Sequence, residues 1–137
     1  IDLGQQAGLS TLSLNYNKLI DIKLTNLEQL SELSISYNGL TNLDLSTNAK
    51  LEQLYVELNE LSQLPIDNNP LLKYVYASFN RIEQIQVIEH PSLINLSLNN
   101  KQLGCLFVYC VCYLKVNYCL LLYVRLFVLV VVPCESV

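Results

Sequence analysis

LSELSISYNGL (30–40) is followed, 21 positions on, by LEQLYVELNEL (51–61), and the two segments share one skeleton. Working outward, LSTLSLNYNKL (9–19) precedes them, while LKYVYASFNRI (72–82) and LINLSLNNKQL (93–103) follow at the same interval without insertion. The ninth place holds Asn17, Asn38, Asn59 and Asn80. The fourth holds Leu12, Leu33, Leu54, Val75 and Leu96, the sixth Leu14, Ile35, Val56, Ala77 and Leu98. The second half of each unit repeats as well: Ile22 and Leu24, Leu43 and Leu45, Leu64 and Ile66, Ile85 and Val87 occupy equal places. A fixed period of this length is the mark of units that cannot bury their apolar side alone and must stack.

The alternation Leu-x-Leu puts two side chains on one face of a short strand. Stacking the units turns these strands into a parallel sheet over a continuous leucine core. A helix on the return side would take roughly ten residues or more, which a 21-residue unit barely allows. The return segments themselves alternate, as in Leu43-Asp44-Leu45. The pattern therefore predicts a β-rich solenoid, with short extended or 3₁₀ return segments and few helices.

The skeleton LxxLxLxxNxL resembles the leucine-rich repeat family, and the resemblance covers residues 1–103. Segments such as LDLSTN (43–48) and LPIDNNP (64–70) look like the short bacterial repeats of internalin-like and Bacteroidetes surface proteins. The resemblance implies protein–protein recognition, outside the cell or at a bacterial cell surface. It implies no cofactor and no catalysis.

Composition agrees with a binding module. Eight basic residues stand against twelve acidic ones, so the chain lacks the electrostatic footprint of a nucleic-acid binder. With His90 the only histidine, Ser/His or Cys/His chemistry has almost nothing to work with. No metal site is predicted. Asp67, Asn68 and Asn69 offer three oxygen ligands in a turn, whereas calcium takes six to eight. Asn95-Leu96-Ser97 is a glycosylation sequon placed in a predicted strand, and we read it as chance.

The Asn17, Asn38, Asn59 and Asn80 column reads as structural. Each amide both donates and accepts, and can satisfy backbone groups at the bend after a strand. Lys101 ends the column, since lysine cannot accept; Asn99 or Asn100 could replace it by a local slip. His90 shares a column with Asn48 and Asn69, and its expected role is likewise to bond backbone in a turn.

Function is expected at the variable places between the leucines, on the concave face. The eighth place runs Tyr16, Tyr37, Leu58, Phe79, and the third and fourth units add Tyr55, Tyr74 and Tyr76, with Glu57 beside them. Tyrosine gives large, stiff contact area at low entropic cost. The candidate partner-binding residues are thus Tyr16, Tyr37, Tyr55, Glu57, Tyr74, Tyr76 and Phe79. A protein ligand is the first expectation. The alternatives are a structural spacer in a larger surface protein, or a surface for a glycan, which also stacks on aromatic rings. Cross-strand stacking that serves the sheet alone is the competing role for the tyrosines.

Near Gly104 the composition changes. Residues 1–103 carry no cysteine; the tail holds Cys105, Cys110, Cys112, Cys119 and Cys134 among many Val and Leu. Leu106 and Val108 still fit the return-side places, so the expected division is a solenoid at 1–108 and a hydrophobic tail at 109–137. The tail has three readings. It can be a membrane segment within 103–132 that anchors the protein at the surface, although a charge such as Lys115 near its middle costs roughly 2.5–3.5 kcal/mol. It can be a strand-rich cap on the open end. It can also be a shifted reading frame, given its bias towards Val, Leu, Phe, Tyr and Cys. At the other end, Ile1 and Leu3 fit a preceding unit and no methionine is present, so the sequence reads as a fragment beginning mid-repeat.

Overall fold

The computed structural model describes Leu3, Gln6, residues 7–88 and 90–98, and the backbone of 105–109; at 84 and 86–88 it likewise describes backbone alone. The ladder slip at 99–101, the tail from 110 onward on which the expected division at 108/109 rests, the membrane span within 103–132 and four of the five cysteines lie outside the described residues or depend on them.

Short strands recur once per unit: β1 (Thr11–Ser13), β2 (Glu32–Ser34), β3 (Gln53–Tyr55), β4 (Tyr74–Tyr76) and β6 (Asn95–Ser97). Each pairs in parallel with the next, in the order β1-β2-β3-β4-β6. The register is set by the repeat, so that Leu12 faces Leu33, Leu33 faces Leu54, Leu54 faces Val75 and Val75 faces Leu96. A second pair forms on the return side, where β5 (Gln84–Ile88) runs parallel to β7 (Cys105–Tyr109), with Ile85 opposite Leu106. Both sheets therefore keep the 21-residue spacing. The described residues contain no helix of any kind, and their return segments are extended pieces joined by turns that i→i+3 hydrogen bonds close, as from Leu30 N–H to Leu27 C=O. The architecture is a parallel β-solenoid of the leucine-rich repeat kind.

The core lies between the two sides. Leu33, Leu54 and Val75 from the strands, and Leu40, Leu61 and Ile82 from the turns after them, are buried. Leu43, Leu45, Leu64 and Ile66 close it from the return side. Full burial of such side chains is worth about 1.5–3 kcal/mol each. Burial weakens at the ends of the described stack, where Leu14 and Leu96 are only partly covered.

A backbone bond from the first leucine of each unit to the residue three places before it brings the chain back into its strand, and where Leu51 N–H donates to Asn48 C=O a second precedes it, from Asn48 N–H to Leu45 C=O. The same pair recurs at Asn69 and Leu72.

Candidate functional site

Two internal amide ladders fix the strands that carry the candidate residues. In the first, Asn59 Nδ2 donates to the carbonyls of Ile35, Val56 and Glu57, while Leu40 N–H donates to Asn59 Oδ1. Asn38 repeats the arrangement with Leu14, Ile35, Ser36 and Leu19. Asn80 donates to Val56 and Ala77 and accepts from Leu61. Asn17 bonds within its own turn, to the carbonyls of Leu14 and Asn15. The amides of Asn38, Asn59 and Asn80 thereby tie a turn to the unit before it, and the strand ahead of that turn is held in position.

The second ladder runs through the other bend. Asn48 Nδ2 donates to Leu24 and Leu27 C=O, Asn69 Nδ2 to Leu45 and Asn48 C=O, and His90 Nε2 to Ile66 C=O. Since a carbonyl only accepts, the His90 hydrogen resides on Nε2. All three side chains are buried, and each keeps one unpartnered acceptor: Asn48 Oδ1, Asn69 Oδ1 and His90 Nδ1.

With the backbone fixed, the sheet's solvent face carries the candidate partner-binding residues. The rings of Tyr55 and Tyr76 stack nearly parallel, with centroids 5.1 Å apart and planes 3° apart. Tyr55 also donates its hydroxyl hydrogen to Gln53 Oε1 at 2.9 Å. Burial, then the charge that Tyr76 acquires on ionisation, then Glu32 and Glu57, push the Tyr55 hydroxyl above the usual phenol range. Tyr74 sits on the same face two places before Tyr76. Along the fifth place of the units the order is Ser13, Ser34, Tyr55, Tyr76, Ser97, so two rings stand between serines.

Glu57 leans back across the sheet, its Oε2 accepting from Ser36 Oγ at 2.8 Å. Ser34 Oγ exchanges hydrogen bonds with the Asn15 amide, whose Oδ1 also accepts from Ser36 N–H. The floor around Ser34 is therefore a closed polar network. On the third and fourth units, Lys73 pairs with Glu52 at 2.6 Å.

Tyr16, Tyr37, Leu58 and Phe79 lie on the turn where the chain leaves the sheet. All four have positive φ, at 58°, 59°, 53° and 60°. Left-handed backbone costs an L-residue roughly 1–2 kcal/mol, and glycine or asparagine is the usual occupant. Here the occupants are large and exposed, Tyr16 at 74% and Phe79 at 53%. Tyr16 and Tyr37 stack at 4.3 Å between centroids. The charge on ionised Tyr16, and a hydrogen bond with it, raise the Tyr37 hydroxyl above its ordinary range. The repeat pattern marks this row, but positive φ leaves no signature in a column of large apolar and aromatic residues.

Asp67 and Asn68 are exposed, whereas Asn69 is engaged in the second ladder. Among the described residues no group of three or more His, Cys, Asp or Glu is placed to hold a metal ion. The sequon Asn95-Leu96-Ser97 coincides with β6.

The solenoid is similar to the solved functional domain of InlJ from Listeria monocytogenes, which includes a cysteine ladder: the TM-score is 0.66 and the identity 30%. The match covers 73% of this chain and 25% of that one, so the chain spans about a quarter of the length of the domain it resembles. No family model and no curated protein matches. The neighbour is an internalin-type leucine-rich repeat domain, and the likeness agrees with the class reached from the repeat. Residues 1–103 of this chain contain no cysteine, and their internal columns are amides and a histidine. Among the described residues no helix is long and apolar enough to cross a membrane.

Proposed function

We propose that this chain is part of a protein-recognition or adhesion module that binds a protein ligand on its concave sheet face, and that it is not an enzyme. The supporting observation is the stacked pair Tyr55 and Tyr76, held on an amide-pinned sheet between serines with Tyr74 beside it. Rings ordered before binding lose little entropy on contact, which is what makes tyrosine effective at interfaces. Tyr16, Tyr37 and Phe79 extend the contact along the rim, and Glu57 contributes charge. A cell-surface or extracellular setting and the short bacterial repeat type belong to the same proposal, and both are supported by likeness to an internalin-type domain.

The test uses the full chain immobilised against a panel of purified receptor ectodomains, repeated with Tyr55, Tyr74 and Tyr76 all changed to Ala. A saturable partner lost by the triple variant supports the assignment. A partner bound equally well by the triple variant overturns the face. Binding of neutral oligosaccharides alone favours a glycan ligand, and no ligand of either kind favours a spacer.

A further inference from the structure

The tyrosine stack has two outer faces, each next to a serine. On the β2 side, the outer face of Tyr55 looks over Ser34, its partner in register. Ser34 has a very small side chain, and its hydroxyl is held down by Asn15. The next position outward is Ser13, again small. The geometry is a slot with an aromatic wall and a fixed polar floor.

Carboxylates stand at both ends of this slot. Glu32 precedes Ser34 by two places on the same strand, and so shares its face. At the other end is the Glu57 carboxylate, drawn onto Ser36 by the 2.8 Å hydrogen bond. Each lies about two residues, roughly 7 Å, along the strand from the slot centre. Both are close enough to Tyr55 to raise its hydroxyl. The nearby ammonium of Lys73 is committed to Glu52, and Arg81 to Glu60. Among the described residues neither Glu32 nor Glu57 has a cationic partner.

We propose that the slot over Ser34, walled by Tyr55 and ended by Glu32 and Glu57, receives an arginine side chain of the protein partner. A guanidinium is planar, stacks on an aromatic face and directs donors both ways along its plane. Lysine offers a point charge without the flat face. The inference rests on the concave face being the partner surface, and it adds the chemistry of one contact.

The test titrates the full chain with the capped peptide acetyl-Gly-Gly-Arg-Gly-Gly-amide and its lysine and citrulline counterparts, following the Tyr55 ring protons by NMR. The arginine peptide shifts Tyr55 saturably, the lysine peptide binds several-fold more weakly, and citrulline does not bind. Changing Glu32→Gln and Glu57→Gln together weakens the arginine peptide roughly tenfold, a typical scale for one stacked cation with two partly exposed carboxylates. Both substitutions are isosteric, and the new amide oxygen on β3's side can still accept from the Ser36 hydroxyl, so the fold persists; an unchanged melting temperature verifies this. The control pair Glu28→Gln and Glu83→Gln leaves affinity unchanged.

Absence of a Tyr55 shift, equal binding of the citrulline peptide, or equal weakening by the control pair overturns the slot. So does a neutral oligosaccharide that occupies the site in place of the peptide. A protein partner lost by the Tyr55, Tyr74 and Tyr76 triple variant but kept by the Glu32 and Glu57 pair leaves the concave face standing and removes the slot. A partner kept by both removes both.

Discussion

His90 Nε2 donates to the carbonyl of Ile66 at 2.8 Å, in the place where Asn69, one unit earlier, serves two carbonyls with its two amide hydrogens. The imidazole has one hydrogen where the amide has two, so this unit of the ladder carries one bond fewer. His90→Asn is expected to restore the second bond, to the Asn69 carbonyl, and to stabilise the protein by about 0.5–1.5 kcal/mol, the net value of one such hydrogen bond. Urea denaturation of the two proteins measures it. A loss of stability would mean that imidazole packing outweighs the missing bond.

The first ladder is graded. Asn59 satisfies three carbonyls and one N–H across two units, whereas Asn17 bonds only inside its own exposed turn. Asn59→Ala leaves buried backbone groups unpaired and should cost at least about 2 kcal/mol, while Asn17→Ala should cost under about 1 kcal/mol. Equal costs at the two sites would contradict a role in joining units.

The rim row sets strain against apolar burial. Leu58 and Phe79 hold positive φ with much of their side chains in solvent. Asparagine tolerates that backbone, so relief of strain offsets the smaller apolar area covered. Leu58→Asn and Phe79→Asn are each expected to change stability by no more than about 1 kcal/mol, against about 2–5 kcal/mol for Leu54→Ala in the core. A loss near the core value, seen in thermal unfolding, would make the row part of the scaffold and weaken its place in a binding surface.

Asp44 should leave a mark at low pH. Its Oδ1 accepts from Ser46 N–H at 2.9 Å, and the Ser46 hydroxyl and backbone hold the carboxyl below the usual aspartate range. A pKa lowered by folding means that the ionised form stabilises the fold. That contribution is complete above the unfolded-state pKa and is lost as pH falls through the folded one. Asp44→Ala should therefore lower the melting temperature at neutral pH, with the gap to the parent closing as the solution is acidified below the ordinary aspartate range. A gap independent of pH would exclude the carboxylate as its cause.

Particular positions show how far the sequence could be read. Leu33, Leu54 and Val75 stand one above another because the spacing leaves no other register. Asn38, Asn59 and Asn80 can be recognised as a ladder from the same arithmetic. Asn17 looks identical in the sequence and differs in the structure, because the amide's reach depends on which unit lies before it. Tyr55, Tyr74 and Tyr76 form a conspicuous group in the chain, yet only Tyr55 and Tyr76 stack on each other. Tyr74 lies in register with Gln53 and Asn95 and so has no ring across from it. The lean of Glu57 onto Ser36 is likewise a rotamer choice across two units, invisible in either one.

The sequence by itself determined the solenoid, its period, its register and its core, because a strand with one apolar face repeated at constant spacing can bury that face only against its own copies. Tertiary structure decided the rest: which rings stack, which carboxylates flank an open ring face, which aromatics accept left-handed backbone, and where a histidine supplies one hydrogen for two. Those outcomes depend on side-chain rotamers and turn geometry between neighbouring units. A pattern of residue types fixes which side chains become neighbours and leaves their orientation to the packing.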